Sequence, residues 1–313
     1  MWSYVTRRVL ATLPVMGVVA VIVFLMLRLS PGDPAAIIAG DHATSEDIAQ
    51  IREHLGLDKP LVEQFVRWLG QLATGDFGVS IYLDRPVLGL ILERVEPTLA
   101  LSVSTMAFAI LLAVPLGVIA AWRAGSWVDQ SIMALSVLAF SVPVFLIGYG
   151  LVIGFSLTLE LLPVQGFVSL SEDPLGFLQH LVLPTIALGL VYTALLARIT
   201  RATMLETLNE DFIRTARAKG LAEPRVLILH ALKNASVPIV TTIGTGIALL
   251  IGGVVVTESV FAVPGIGRLT IDAVLQRDYP VIQGVILVIA GVYVLVNLAI
   301  DLTYSLLDPR IRY

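Results

Sequence analysis

Six runs of this 313-residue chain carry no Asp, Glu, Lys, Arg or His and are long enough to cross a bilayer as helices. They cover 9–27, 98–121, 132–159, 181–197, 237–256 and 281–300. A bilayer core needs about 17–25 apolar residues in helical form. Only helices and closed barrels satisfy every backbone group there, and runs of this length favour helices. The fold class expected is therefore an all-α polytopic membrane protein with six transmembrane helices, forming one domain over 1–313. The first run follows Arg7 and Arg8 and resembles a secretory leader. It is too long for a leader's apolar region and lacks a small-x-small cleavage site, so it is expected to stay as the first span.

Orientation follows from basic residues. Arg7 and Arg8, Arg123, the group Arg198, Arg201, Arg214, Arg217, Lys219, Arg225 and Lys233, and Arg310 with Arg312 fall in segments separated by even numbers of spans. The intervening segments are acid-rich, and 160–180 contains no Lys or Arg. The positive-inside rule puts both termini and a 198–236 loop in the cytoplasm, with a 31–97 loop outside. The chain is expected to cross its membrane several times.

The outer loop carries helix signals. Thr44, Ser45, Glu46 and Asp47 form an N-cap cluster, and Gly56 stops the helix they begin. Pro60 precedes a second helix with Leu61, Phe65, Trp68, Leu69 and Leu72 on one face, closed by Gly75. Both helices are expected to form a lid over the outer mouth, the other reading being a direct contact with substrate or a delivery protein. PGIG at 264–267 lacks the spacing of a phosphate cradle and reads as a tight turn. Glu258, at the end of the fifth run, reads as a solvated interfacial acid. Pro115, Pro143, Pro184, Gly244 and Gly246 are expected to distort their spans. Gly150 with Gly154, and Gly252 with Gly253, read as packing surfaces.

No chemistry is evident within the spans. They lack the embedded acids or His of an ion-coupled carrier and any protease-like catalytic set. The chain has no cysteine, its four His are dispersed, and no Walker A sequence is present, so neither a metal nor a cofactor is expected. A net charge of −4 gives no basic field for nucleic acid. A pump built on this chain would draw its energy from a partner through a cytoplasmic contact.

The contact element expected is RTARAKGLAEPRVLILHALKNA, 214–235. The stretch 204–218 has helix-forming composition. Gly220 suits a left-handed C′ position, and Leu221 can fold back as its apolar C″ contact. Pro224 and Glu223 suit the first turn of a second helix, with Val226, Leu227, Leu229 and His230 near Leu232. The element would otherwise serve as a basic connector lying on lipid headgroups.

ARAKG, HALKN and VP over 216–238 are similar to the EAA loop of ABC importer permeases in its peptide-importer form. Further matches run along the chain: RR at 7–8, SPGDP at 30–34, LGLDKP at 55–60, GDFGVS at 75–80, SVPVF at 141–145, HLVLPT at 180–185, TESVFAVPGIG at 257–267, RDYPV at 277–281 and LDPRIR at 307–312. Their collinear order resembles the B-type permease subunit of the dipeptide/oligopeptide/nickel ABC importer family.

The resemblance implies a non-catalytic, pore-forming subunit in a bacterial inner membrane. It would pair with a homologous C-type permease, receive substrate from an extracytoplasmic solute-binding protein, and dock two ATPase subunits through the EAA loop. In the E-A-A-x3-G register Gly220 is fixed, and E-A-A falls on Arg214, Thr215 and Ala216. Arg214 replaces the acid, so no carboxylate contact carries over. Leu232 and Lys233 replace the later Leu-Pro. Ala216 and Gly220 would allow close approach, with Arg217, Lys219 and Leu221 beside them. The alternative class is a self-sufficient secondary carrier or channel.

Overall fold

Every apolar run folds as helix in the computed structural model, which describes residues 2–29, 35–36, 44–54 and 57–307. SPGDP, the Gly56 stop and most of LDPRIR lie outside those residues. The helices are α1 (Trp2–Leu29), α2 (Ser45–His54), α3 (Leu61–Ala73), α4 (Val87–Trp122), α5 (Trp127–Ser141), α6 (Val144–Leu151), α7 (Pro174–Leu208), α8 (Asp211–Ala218), α9 (Glu223–Arg225), α10 (Lys233–Gly253), α11 (Val255–Val260), α12 (Ile266–Leu275) and α13 (Tyr279–Leu307). Val152–Thr158 continues α6, and Val226–Leu232 joins α9 to α10, both as π-helix.

By length and hydropathy four helices among the described residues can cross a membrane: Val87–Trp122, Pro174–Leu208, Glu223–Ile251 and Tyr279–Thr303. The apolar part of α1, Leu10–Met26, is shorter. The third run departs from expectation. It is not one straight helix: Trp127–Ser141 and Val144–Thr158 meet at a bend of 96°. Pro143 causes it locally. Its ring disfavours helical backbone at the residue before it, and Val142 is extended at φ −85°, ψ 125°. Pro115 and Pro184 stay inside continuous helices.

The chain divides into two compact units. One comprises 1–5, 96–268 and 293–313; the other comprises 6–95 and 269–292. In the first, α7 is the most enclosed span, packed by α5, α6 and α10. Gly117 lets α4 close on α7, since a Cβ there would stand 2.6 Å from Thr200 Cβ. Within this chain the close contacts fall on glycines other than Gly150 and Gly154. Gly150 and Gly154 face open space, whereas a Cβ on Gly246 would lie 2.7 Å from Met106 and one on Gly244 would overlap Ile300. Gly244 and Gly246 therefore serve close contact, inside an unbroken α10.

In the second unit Ala20 and Val23 of α1 pack with Leu287 of α13, joined by Phe65, Trp68 and Leu72 of α3. Phe24 meets Phe65 edge-on at 5.1 Å between ring centres. The buried Gln283 amide donates to the Val23 carbonyl at 2.8 Å. Two of the collinear motifs meet here. Asp278 of RDYPV is buried and accepts from the Ser80 hydroxyl of GDFGVS and from the Ile81 N–H at 3.2 Å.

Candidate partner-docking element

The basic loop is built from short helices whose inner sides are buried on their own chain. α7 carries helix past its apolar run to Leu208, and Asn209 and Glu210 end it before α8 begins. The single helix expected over 204–218 is thus two. Asn209 terminates α7 by donating its side-chain amide back to the Leu205 carbonyl at 2.9 Å.

Gly220 closes α8 as its sequence implies. Its φ is +77°, a left-handed conformation that costs a residue with a Cβ about 1–2 kcal/mol. The Gly220 N–H donates to Arg217 O at 2.9 Å, and the Leu221 N–H donates to Ala216 O at 3.3 Å. Those two bonds are the 5→2 and 6→1 bonds of a Schellman motif, and Leu221 packs back on the cluster that holds Ala216. The second helix then begins at Glu223 with Pro224 in its first turn and runs on into α10.

The inner side of the element is apolar. Ile213, Ala216, Val226, Leu227 and Ala231 are buried with Leu196, Ala197 and Met204 of α7 and Ala113 and Ala121 of α4. Ala216 therefore uses its small size inside this chain rather than on an outer surface. Arg214, Thr215, Lys219 and Gly220 are exposed. Arg214 forms a surface pair with Asp211 at 3.1 Å, and the Thr215 hydroxyl donates to Asp211 O. Arg217 is engaged: its guanidinium forks onto Glu223, at 2.6 Å and 3.2 Å, across the Gly220 turn. That hydrogen bond and the carboxylate charge raise the Arg217 pKa, so it stays cationic at any physiological pH.

Three features escape a reading of the sequence. Phe212, Ile228 and Leu229 are exposed on the loop at 42%, 58% and 59%. Leu229, expected near Leu232 on the second helix, lies outward. The π-helical stretch, with its wider turn, instead directs Val226, Leu227 and Ala231 inward. The signal was present in VLILHAL, which holds more apolar residues than one helix face can bury. Secondly, Asp129 at the start of α5 receives Arg201 of α7 through two bonds, at 2.5 Å and 2.7 Å. The Gly125 N–H also donates to it at 2.9 Å. The pair anchors α7 beside the turn that follows α4.

The third lies at the other end of this unit. Glu258 is fully buried, not solvated. Its carboxylate accepts from the Thr98 hydroxyl at 2.7 Å and from the Arg268 N–H at 2.8 Å, while Thr98 accepts from the Ile266 N–H at 2.8 Å. PGIG is thus a turn wrapped around a carboxylate, and a Cβ on Gly265 would overlap that carboxylate.

Comparison with known proteins places this arrangement. A family model described as "Binding-protein-dependent transport system inner membrane component" matches residues 113–313, and a companion for the N-terminal part matches 1–113. The chain belongs to this family. This permease is 52% identical over 313 residues, all of both chains, to "Probable peptide ABC transporter permease protein y4tP" of Sinorhizobium fredii. It is 42% identical over 314 residues, again all of both chains, to the glutathione transport system permease protein GsiC of Escherichia coli. Among solved structures, inward-facing MetNI methionine ABC transporter matches with TM-score 0.58 at 17% identity, covering 71% of the permease and 97% of that chain. The fold is that of an ABC importer permease. The chain is a multi-pass inner-membrane permease subunit of a binding-protein-dependent importer.

Proposed function

We propose that this permease forms part of the pore of an ABC importer for peptides or peptide-like solutes, with six spans and both termini cytoplasmic. The alternative of a self-sufficient carrier gains no support from any group within the spans. Relatives named for peptide and glutathione transport, matching end to end, support the substrate class. A homologous C-type permease completes the pore. An extracytoplasmic binding protein delivers the substrate. Two partner ATPase subunits hydrolyse the ATP, and this chain catalyses nothing. The 198–236 loop is cytoplasmic and couples to an ATPase.

One observation carries the coupling assignment. The two-helix element is anchored on its inner side by buried apolar residues, while Arg214, Thr215, Lys219 and the Gly220 turn stay exposed beside Phe212, Ile228 and Leu229. A lipid-surface connector needs charge but no fixed turn, whereas a groove partner needs the turn.

Gly220→Val separates the two. Beyond its two chain neighbours, no described atom lies within 4 Å of a Cβ at Gly220, so the substitution strains mainly the backbone, by about 1–2 kcal/mol or somewhat more for a β-branched residue. The variant should insert and accumulate, yet lose transport and copurify less ATPase. Arg214→Gln should have a milder effect. Normal transport by the Val variant, with a severe defect on neutralising Arg214, Arg217 and Lys219 together, would establish lipid anchoring instead.

A further inference from the structure

We infer that α3 is an in-plane membrane helix, submerged in the leaflet beside α1, with the edge formed by Val62, Val66 and Leu69 resting on lipid acyl chains. Three observations within the second unit lead there: the three-way division of the helix surface, its depth along its neighbours, and the groove it shares with α1.

At about 100° per residue α3 has three sides rather than two. Phe65, Trp68 and Leu72 lie on one edge and pack against Phe24 and the α1–α13 contact. Glu63, Arg67, Gly70 and Gln71 lie on a polar side; Glu63 pairs there with Lys59 at 2.8 Å. Between them runs a second apolar edge of Val62, Val66 and Leu69, exposed at 74%, 63% and 37%. The apolar arc covers about 160° of the circumference, far more than the contact with α1 buries. A helix lying in the membrane plane beside a span needs this division: one edge to the span, one to the acyl chains, one to water.

The depth agrees on two rulers. Phe65 and Leu69 line an apolar hollow of about 450 Å³ with Gly17, Val18, Val21 and Ile22 of α1. Those α1 residues lie about 9–16 Å inside Arg28 at 1.5 Å per residue. On α13 the same cluster reaches Ile286 and Leu287. Those positions are about 8–9 Å past Val281, where the apolar run begins. The first range runs from inside the leaflet to about the bilayer midplane, and the second lies inside a hydrocarbon half-thickness of about 15 Å. The hollow is open, and its α1 wall continues into Leu10, Leu13 and Val15, all exposed at over half their surface. The unpacked edge of α3 is therefore continuous with the membrane-facing flank of α1. Acyl chains fit it better than a soluble protein does, because its floor lies at acyl-chain depth.

The chain has no cysteine, which allows a direct test. Val62→Cys, Val66→Cys, Arg67→Cys and Gln71→Cys would each carry an environment-sensitive NBD label. The importer would be assembled with cysteine-free partners in phosphatidylcholine nanodiscs, with or without acyl-brominated phosphatidylcholine. Labels at 62 and 66 should emit at shorter wavelength and lose emission in brominated lipid, while those at 67 and 71 do neither. Three outcomes overturn the inference: labels at 62 and 66 as wet as those at 67 and 71; a dry environment there that bromine does not quench, which marks a covering protein subunit; or a dry environment formed only when the soluble binding protein is added.

Discussion

Glu258 has no solvent contact, so its hydrogen bonds decide whether the turn after α11 forms. One carboxylate oxygen receives the Thr98 hydroxyl and the other the Arg268 N–H. A Gln of the same size keeps one acceptor and turns its amide donors toward a group that also donates. Leaving one buried donor unpaired costs about 1–3 kcal/mol, so Glu258→Gln should lower the detergent-solubilised permease's melting temperature clearly. Thr98→Val, which removes the hydroxyl that donates to Glu258 and accepts from the Ile266 N–H, should also lower it, and the double variant should lose less than the sum. Melting curves of both single variants that coincide with wild type would refute the clamp. By contrast the exposed Arg217–Glu223 fork is worth about 0.2–1 kcal/mol, and Arg217→Gln should barely move the curve. Legibility divides in the same way. The Gly220 turn could be read from ARAKGL because every atom that fixes it lies within six residues. The Glu258 clamp could not, since its partner Thr98 is 160 residues distant and nothing in the spacing joins them.

Among the elements, the broken third span is the largest departure from a reading of apolar runs. Hydropathy gives one continuous window over 132–159, and it treats Pro115, Pro143 and Pro184 alike. What separates them is packing. Pro184 is buried within the most enclosed helix, which stays continuous around it, whereas at Val142–Pro143 the chain turns away. The bend can be measured. Gln130 and Leu157 are both exposed, and cysteines there can carry spin labels. With a 96° bend their backbones lie about 26 Å apart, against about 40 Å for a straight helix at 1.5 Å per residue. A pulsed dipolar distance distribution centred near the longer value would show a single straight span. The short helices were more legible. α2 begins at Ser45 and α3 follows Pro60, as their cap and proline signals indicate. α3 departs from its single expected apolar face, because Leu69 lies with Val62 and Val66 on a second edge rather than in the cluster of Phe65, Trp68 and Leu72.

For the molecule as a whole, the distribution of Arg and Lys is what assigns a side to each end, and with it the partner that each end can meet. Every function proposed for the 198–236 loop requires it to face the ATP-bearing compartment, and every role for 31–97 requires the opposite. The asymmetry is large. Seven Lys or Arg lie in 198–236 and none in 160–180. Translocating a basic loop is opposed during insertion, whereas acidic residues have little influence. Because the chain lacks cysteine, single substitutions can report the side directly. Ala49 of α2 and Ala222, at the turn between α8 and α9, are both exposed, so neither label is blocked by packing. In intact spheroplasts a membrane-impermeant maleimide should label Ala49→Cys at once. It should label Ala222→Cys only after permeabilisation. The in-plane placement of α3 leaves this expectation unchanged, because Ala49 lies on the preceding helix. The reverse pattern would put the Gly220 turn outside. No ATPase could then reach it, and the buried anchoring of α8 and α9 would have to serve an extracytoplasmic contact instead.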